Sequence, residues 1–172
     1  MTRMSLIVFE KTGHILGAFT RAANPDGAVT AAQVVGEALT VRHAENGSEL
    51  FHVSASLLTV KTIDRVDDVI TSHRNYVLKD GLAMEKGDPV TAPGYDSANK
   101  KLDVKLDANA TEKLVAYAQV ETEGEPPKVI PIEIPALDDE GHAPVTLTPG
   151  TIYQLLVLIP GYRAQFKSFT AA

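Results

Sequence analysis

Apolar and polar positions alternate along most of this chain, and turn-forming residues punctuate the alternation, so the pattern predicts a mainly β fold. Ser5 to Phe9 and Ile15 to Thr20 are β-rich runs flanking Lys11-Thr12-Gly13-His14, a loop with the glycine that a hairpin turn needs. A second turn signal, Asn24-Pro25-Asp26-Gly27, precedes Thr30, which forms a capping box with Gln33, while Val29 and Val34 have the spacing of a hydrophobic staple. A short helix is therefore expected from Ala31 to Ala38, with Gly36 inside it as a destabilising residue. Asn46-Gly47 between Leu39 to Ala44 and Glu49 to Ser54 predicts a second hairpin. Leu57 to Ile63 reads as a strand, and Val66, Val69, Ile70 and His73 mark one face of a helix over Val66 to Ser72. Asp80-Gly81 between Tyr76 to Leu78 and Leu82 to Met84 gives a third hairpin.

From Glu85 to Lys100 the periodicity lapses, and Gly87, Pro89, Pro93 and Gly94 make this stretch a connector or an edge segment. The expected domains are 1–86, hairpin-rich with short helices, and 87–172, a β-sandwich. In the second, Leu102, Val104 and Leu106 alternate with Lys101, Asp103 and Lys105 in the manner of a half-buried strand. Further strands are expected at Leu114 to Glu121, Val129 to Ile134, Val145 to Leu147, Ile152 to Ile159 and Tyr162 to Phe169. On the fifth of these six strands, Tyr153, Leu155, Val157 and Ile159 should face the core.

Leu147-Thr148-Pro149-Gly150-Thr151-Ile152-Tyr153-Gln154-Leu155-Leu156-Val157 resembles the fibronectin type III pattern, with a Leu, a Pro-Gly turn and a Tyr ahead of an alternating strand. The resemblance implies an immunoglobulin-like sandwich over the C-terminal half, with the Tyr153 hydroxyl bonded to backbone at a corner between strands. That would make Tyr153 a residue of the fold rather than of a site. The Trp that those domains bury on an early strand is absent, since the chain has no Trp.

Composition narrows the chemistry. With 172 residues the chain can bury roughly 70% of its unfolded surface, and with no cysteine it forms no disulfide, thiolate metal site or thiol nucleophile. The opening residues hold only a short apolar run, Leu6 to Phe9, which is too brief for a secretory core and predicts a protein that is cytoplasmic where it is made. The longest apolar stretch, Ile152 to Ile159, is too short to cross a bilayer, so no membrane insertion is expected. Sixteen basic against 22 acidic residues give a net charge of −6, and no basic cluster exceeds Lys100-Lys101, which argues against a nucleic-acid partner.

No phosphate loop, dinucleotide fingerprint, metal-binding His-Glu helix or nucleophile elbow occurs, so no cofactor is expected and no catalytic, cofactor-binding or metal residue is assigned. His14, His43, His52, His73 and His142 lie in separate segments, and only His43 and His52 could face each other across a hairpin. The acidic runs Glu121-Thr122-Glu123-Gly124-Glu125 and Asp138-Asp139-Glu140-Gly141-His142 offer oxygen ligands without the spacing of a calcium loop, and a meander would place them at opposite ends of a sheet. Asn46-Gly47-Ser48 and Asn109-Ala110-Thr111 match a glycosylation acceptor but read as turns, and Ser54, Ser56 and Ser72 have no assignable base. These features point to a non-enzymatic structural or adaptor subunit that contacts other protein subunits in a larger assembly, a phage-tail-like particle being one setting. The alternative is a ligand-recognition module such as a carbohydrate-binding sandwich. Because open β-edges invite pairing, the N-terminal hairpin or the strand from Tyr162 to Phe169 is expected to lie in a subunit interface.

Overall fold

A computed structural model of the protein describes residues 3–20, 29–42, 50–87 and 91–172, with backbone alone for 91 and 92. It is mainly β-strand with a few short helices, as the alternation predicts. The chain divides into two units, Met1–Lys86 and Gly87–Ala172.

The first unit contains β1 (Arg3–Phe9), β2 (Ile15–Phe19), β3 (Ala38–Arg42), β4 (Leu50–Ser54), β5 (Leu58–Asp64), β6 (Tyr76–Lys79) and β7 (Leu82–Glu85). Two short helices, α1 (Ala31–Val35) and α2 (Asp67–Ser72), interrupt them. β1 is the centre of an antiparallel sheet ordered β2-β1-β5 and is buried from Met4 to Phe9. Met4, Leu6 and Val8 meet Ile15 from β2 and Val69 from α2 in one apolar core. The β1–β2 hairpin read from the sequence is present, whereas the pairing of β1 with β5 joins segments that no local pattern connects.

At α1 the capping box is formed: the Thr30 hydroxyl accepts from the Gln33 N–H at 3.3 Å, and the Gln33 side chain accepts from the Thr30 N–H at 2.9 Å. The helix ends at Val35 instead of Ala38. Gly36 takes φ 74°, a left-handed conformation that stops the helix, and Ala38 already starts β3. α2 likewise begins at Asp67, because Val66 is extended and serves as its N-cap. β3 and β4 pair from Ala38↔Ser54 to Arg42↔Leu50. The Asn46-Gly47 turn expected between them, like that at Asn24-Pro25-Asp26-Gly27, lies outside the described residues. Asp80 (φ 51°) and Gly81 (φ 79°) make the two-residue turn of the β6–β7 hairpin, which needs left-handed backbone at both positions.

The second unit contains β8 (Thr91–Asp96), β9 (Lys101–Lys105), β10 (Leu114–Glu121), β11 (Lys128–Ile134), β12 (Glu140–Pro144), β13 (Ile152–Leu158) and β14 (Gln165–Thr170). They form a three-stranded sheet ordered β12-β9-β8 and a four-stranded sheet ordered β11-β10-β13-β14. One core joins the two sheets: Leu102, Val104 and Ala143 from the first meet Ala116, Ala118, Val120, Ile132, Ile134, Leu155 and Val157 from the second. Tyr153, Leu155, Val157 and Ile159 are all buried in that core, the orientation the alternation requires. Leu156 and Leu158, on the opposite face of β13, are buried as well, which explains why this strand reads as a nearly continuous apolar run.

Of the two readings of the stretch 85–100, connector or edge segment, the structure shows the edge: it contains β8, where Pro93 is tolerated because an edge needs no donor on its outer side. Two expectations need correction. The strand expected at Val145 to Leu147 is displaced to Glu140–Pro144. Its Gly and Pro look like loop residues, yet Gly141 stands where β12 passes β11 so closely that a Cβ would lie 2.7 Å from the Glu133 carbonyl oxygen. The last strand begins at Gln165, after a turn in which the Tyr162 N–H donates to the Ile159 carbonyl at 3.0 Å.

All four sheet edges of the second unit carry a device against strand addition. Pro93, Pro131 and Pro144 remove a donor from β8, β11 and β12, and on β14 Lys167 stands opposite Leu155, sharing its inward face.

Candidate functional site

The residues that the sequence offers for chemistry do not converge. His14 is buried in the β1–β2 loop, its Nδ1 2.7 Å from the Thr12 hydroxyl oxygen. His52 is exposed on β4 opposite Thr40, while His43, its sequence-level companion, lies outside the described residues. His142 is exposed on β12 opposite Asp103. Ser54 caps a short turn by accepting from the Ser56 N–H at 3.3 Å. Among the described residues no group of three or more His, Asp or Glu is placed to hold a metal ion, and no helix is long and apolar enough to cross a membrane.

The two acidic runs leave β11 at opposite ends, about 20 Å apart for a strand of its length, so their carboxylates cannot share an ion. In the second run the Asp138 carboxylate accepts from the Asp139 and Glu140 backbone N–H groups at 2.8 and 3.2 Å. Asp139 and Glu140 reach Lys105 at 3.5 and 2.7 Å. The Glu140 hydrogen bond, followed by the charge of Asp139, holds the Lys105 ammonium above the usual lysine range. These carboxylates are occupied in turn formation and surface ion pairs.

His73, in the turn His73–Asn75 that follows α2, has a displaced titration. Burial pushes its pKa down, the positive charges of Arg74 and Lys86 add to this, and a hydrogen bond with the Leu16 backbone opposes them. Its Nδ1 is buried without a hydrogen-bond partner, as suits a neutral ring. A depressed histidine pKa means that the unfolded state binds the proton first. Stability of the first unit is therefore present above pH 6.5 and falls as pH drops through 6.5 toward the folded pKa. Urea midpoints measured from pH 7.5 downward should show this decline in the first unit, and His73→Gln should flatten it.

What the surface does present is apolar. Leu137 is 78% exposed and has φ 67°, a left-handed conformation that costs a leucine about 1 to 2 kcal/mol. Three bonds at 2.8 Å hold it there: its N–H donates to the Ala110 carbonyl, the Ala110 N–H donates to the Asp138 carbonyl, and Asn109 Nδ2 donates to the Leu137 carbonyl. Asn109, read as a turn residue, is thus part of a clamp that holds Leu137 out in water. On β7, Leu82 and Met84 are 68% and 49% exposed. The sequence pattern missed Leu137, because an apolar residue between Pro135-Ala136 and Asp138-Asp139 carries no periodicity. No protein-family model and no curated protein matches the chain.

Proposed function

We propose that this protein is a non-enzymatic structural or adaptor subunit that works through contacts with other protein subunits, a phage-tail-like particle being one setting. The observation that carries the reading is Leu137, a bulky apolar side chain kept exposed by a strained and hydrogen-bonded backbone. Strain held in place by surrounding structure points to use, and a single exposed leucine on a rigid loop suits an apolar pocket in another protein. Asp107, Glu112 and Asp138, exposed on the same pair of loops, favour a basic rim around that pocket.

The second unit serves this role as an immunoglobulin-like scaffold. Supporting that part, its third, sixth and seventh strands share a sheet, as the C, F and G strands of immunoglobulin constant domains do. Tyr153, near the start of the sixth strand, accepts from the Thr148 N–H at 3.0 Å, the bond of a tyrosine corner. Its fourth strand departs from the constant-domain order by pairing with the third.

The test is purification from the native host at native abundance, with wild type and Leu137→Asn compared. Asparagine tolerates the left-handed backbone better than leucine, so the variant should be as stable as wild type or up to about 1 kcal/mol more stable. The reading expects wild type to co-elute with other subunits and the variant to lose them. A lone 18.4 kDa chain in both preparations, or binding only to a glycan array, would overturn it.

A further inference from the structure

β7 has no proline and displays Leu82 and Met84 at its edge, and its one charge, Glu85, stands at the end of the strand opposite Tyr76. A two-residue hairpin turn makes Lys79↔Leu82 a hydrogen-bonded pair, and antiparallel alternation makes Val77↔Met84 the next. The Leu78 N–H fits this phase, since it turns away from β7 and donates to the Gly13 carbonyl at 2.8 Å. The backbone groups of Ala83 and Glu85 therefore point outward from the hairpin, along an edge that, among the described residues, has no further strand in its sheet.

We propose that β7 pairs antiparallel with β7 of a second copy of this chain, about a two-fold axis centred on Ala83. The edge is self-complementary in that register. Leu82 lies opposite Met84 of the partner subunit in a non-hydrogen-bonded pair, where side chains approach most closely. Four apolar side chains leave water together on one face, and two hairpins become one four-stranded sheet. Shifting the centre to Met84 would lose the Leu–Met pairs and set Leu82 against buried Lys86 of the partner subunit, while a centre at Glu85 would oppose two carboxylates. An isologous contact of this kind closes on itself and makes no use of Leu137. The proposal rests on the reading of the chain as an assembly subunit and supplies one of its partners.

Light scattering on the full chain over a concentration series, with amide hydrogen exchange in the same samples, tests it. The mass should rise from 18.4 kDa toward twice that value, and exchange at Ala83 and Glu85 should slow about tenfold as the edge becomes paired. Ala83→Pro removes an outward N–H, and Met84→Lys places a charge in the apolar cluster. Both should stay monomeric with unchanged far-UV circular dichroism, and Met84→Lys alone decides the matter if the proline variant misfolds. A wild-type monomer at every concentration, or association that leaves Ala83 and Glu85 exchange unchanged or persists in Met84→Lys, overturns the pairing. If the chain is monomeric but still captures other subunits through Leu137, this proposal falls and the assembly reading stands. If it neither self-associates nor captures other subunits, both fall.

Discussion

Replacing Leu155 by alanine is expected to lower the stability of the second unit by about 2 to 5 kcal/mol, the range for truncating a large buried aliphatic side chain. Leu155 is 1% exposed in the middle of β13, between Val120 on β10 and Lys167 on β14, and it belongs to the core that joins the two sheets. Because the sheets meet along that core, the cavity has walls on both sides and little room to collapse. The protein supplies its own reporter: it has no Trp, and four of its five tyrosines, Tyr95, Tyr117, Tyr153 and Tyr162, lie in the second unit. Urea unfolding followed by tyrosine fluorescence should show the loss. Ile152→Ala on the same strand, at a position 64% exposed, should stay within about 0.5 kcal/mol of wild type. An unchanged midpoint for Leu155→Ala would mean that the inward register of β13 is wrong.

The contrast between those two positions also indicates how much of this fold the sequence could express. Where one face of a strand is buried and the other is not, as in Leu102, Val104 and Leu106 against Lys101, Asp103 and Lys105, the period of two is written in the letters. Local turn chemistry is equally explicit: the Thr30–Gln33 capping box and the Asp80-Gly81 turn both form as read. The element ends that were misplaced depend on what approaches from elsewhere. Gly36 looks like a weak helix residue until its backbone turns left-handed, and β12 looks like a loop because the reason for its glycine lies on a neighbouring strand. Pairing of β1 with β5 is a further long-range fact that no window contains. The candidate contact surfaces were less legible still. Leu137 differs from an ordinary loop leucine only in its backbone conformation and its clamp, and the apolar pair Leu82 and Met84 acquires meaning only once β7 is seen to be a sheet edge.

Gly141→Ala is expected to destabilise the second unit by about 2 to 3 kcal/mol, although the same substitution elsewhere in a chain often stabilises. Alanine restricts the unfolded chain and so gains about 0.4 to 1 kcal/mol where the native site tolerates it. At Gly141 it does not: the added carbon would lie 2.6 Å from Ile134 Cγ1, 2.7 Å from the Glu133 carbonyl oxygen and 3.1 Å from Ile132 Cγ2. Ile134 can shift only into a filled core, and the Glu133 oxygen belongs to a strand fixed by pairing along β10. Relief must come from moving β12 away from β11, and overpacking of this kind costs about 1 to 3 kcal/mol, occasionally more. Gly94, on β8, has no atom within 4 Å of the position a Cβ would take and no left-handed φ, so Gly94→Ala should be neutral or mildly stabilising. Measured by the same tyrosine signal, a Gly141→Ala variant at least as stable as wild type would show that β12 and β11 do not approach as described. It would also remove the physical reason for finding a strand where the sequence reads as a loop.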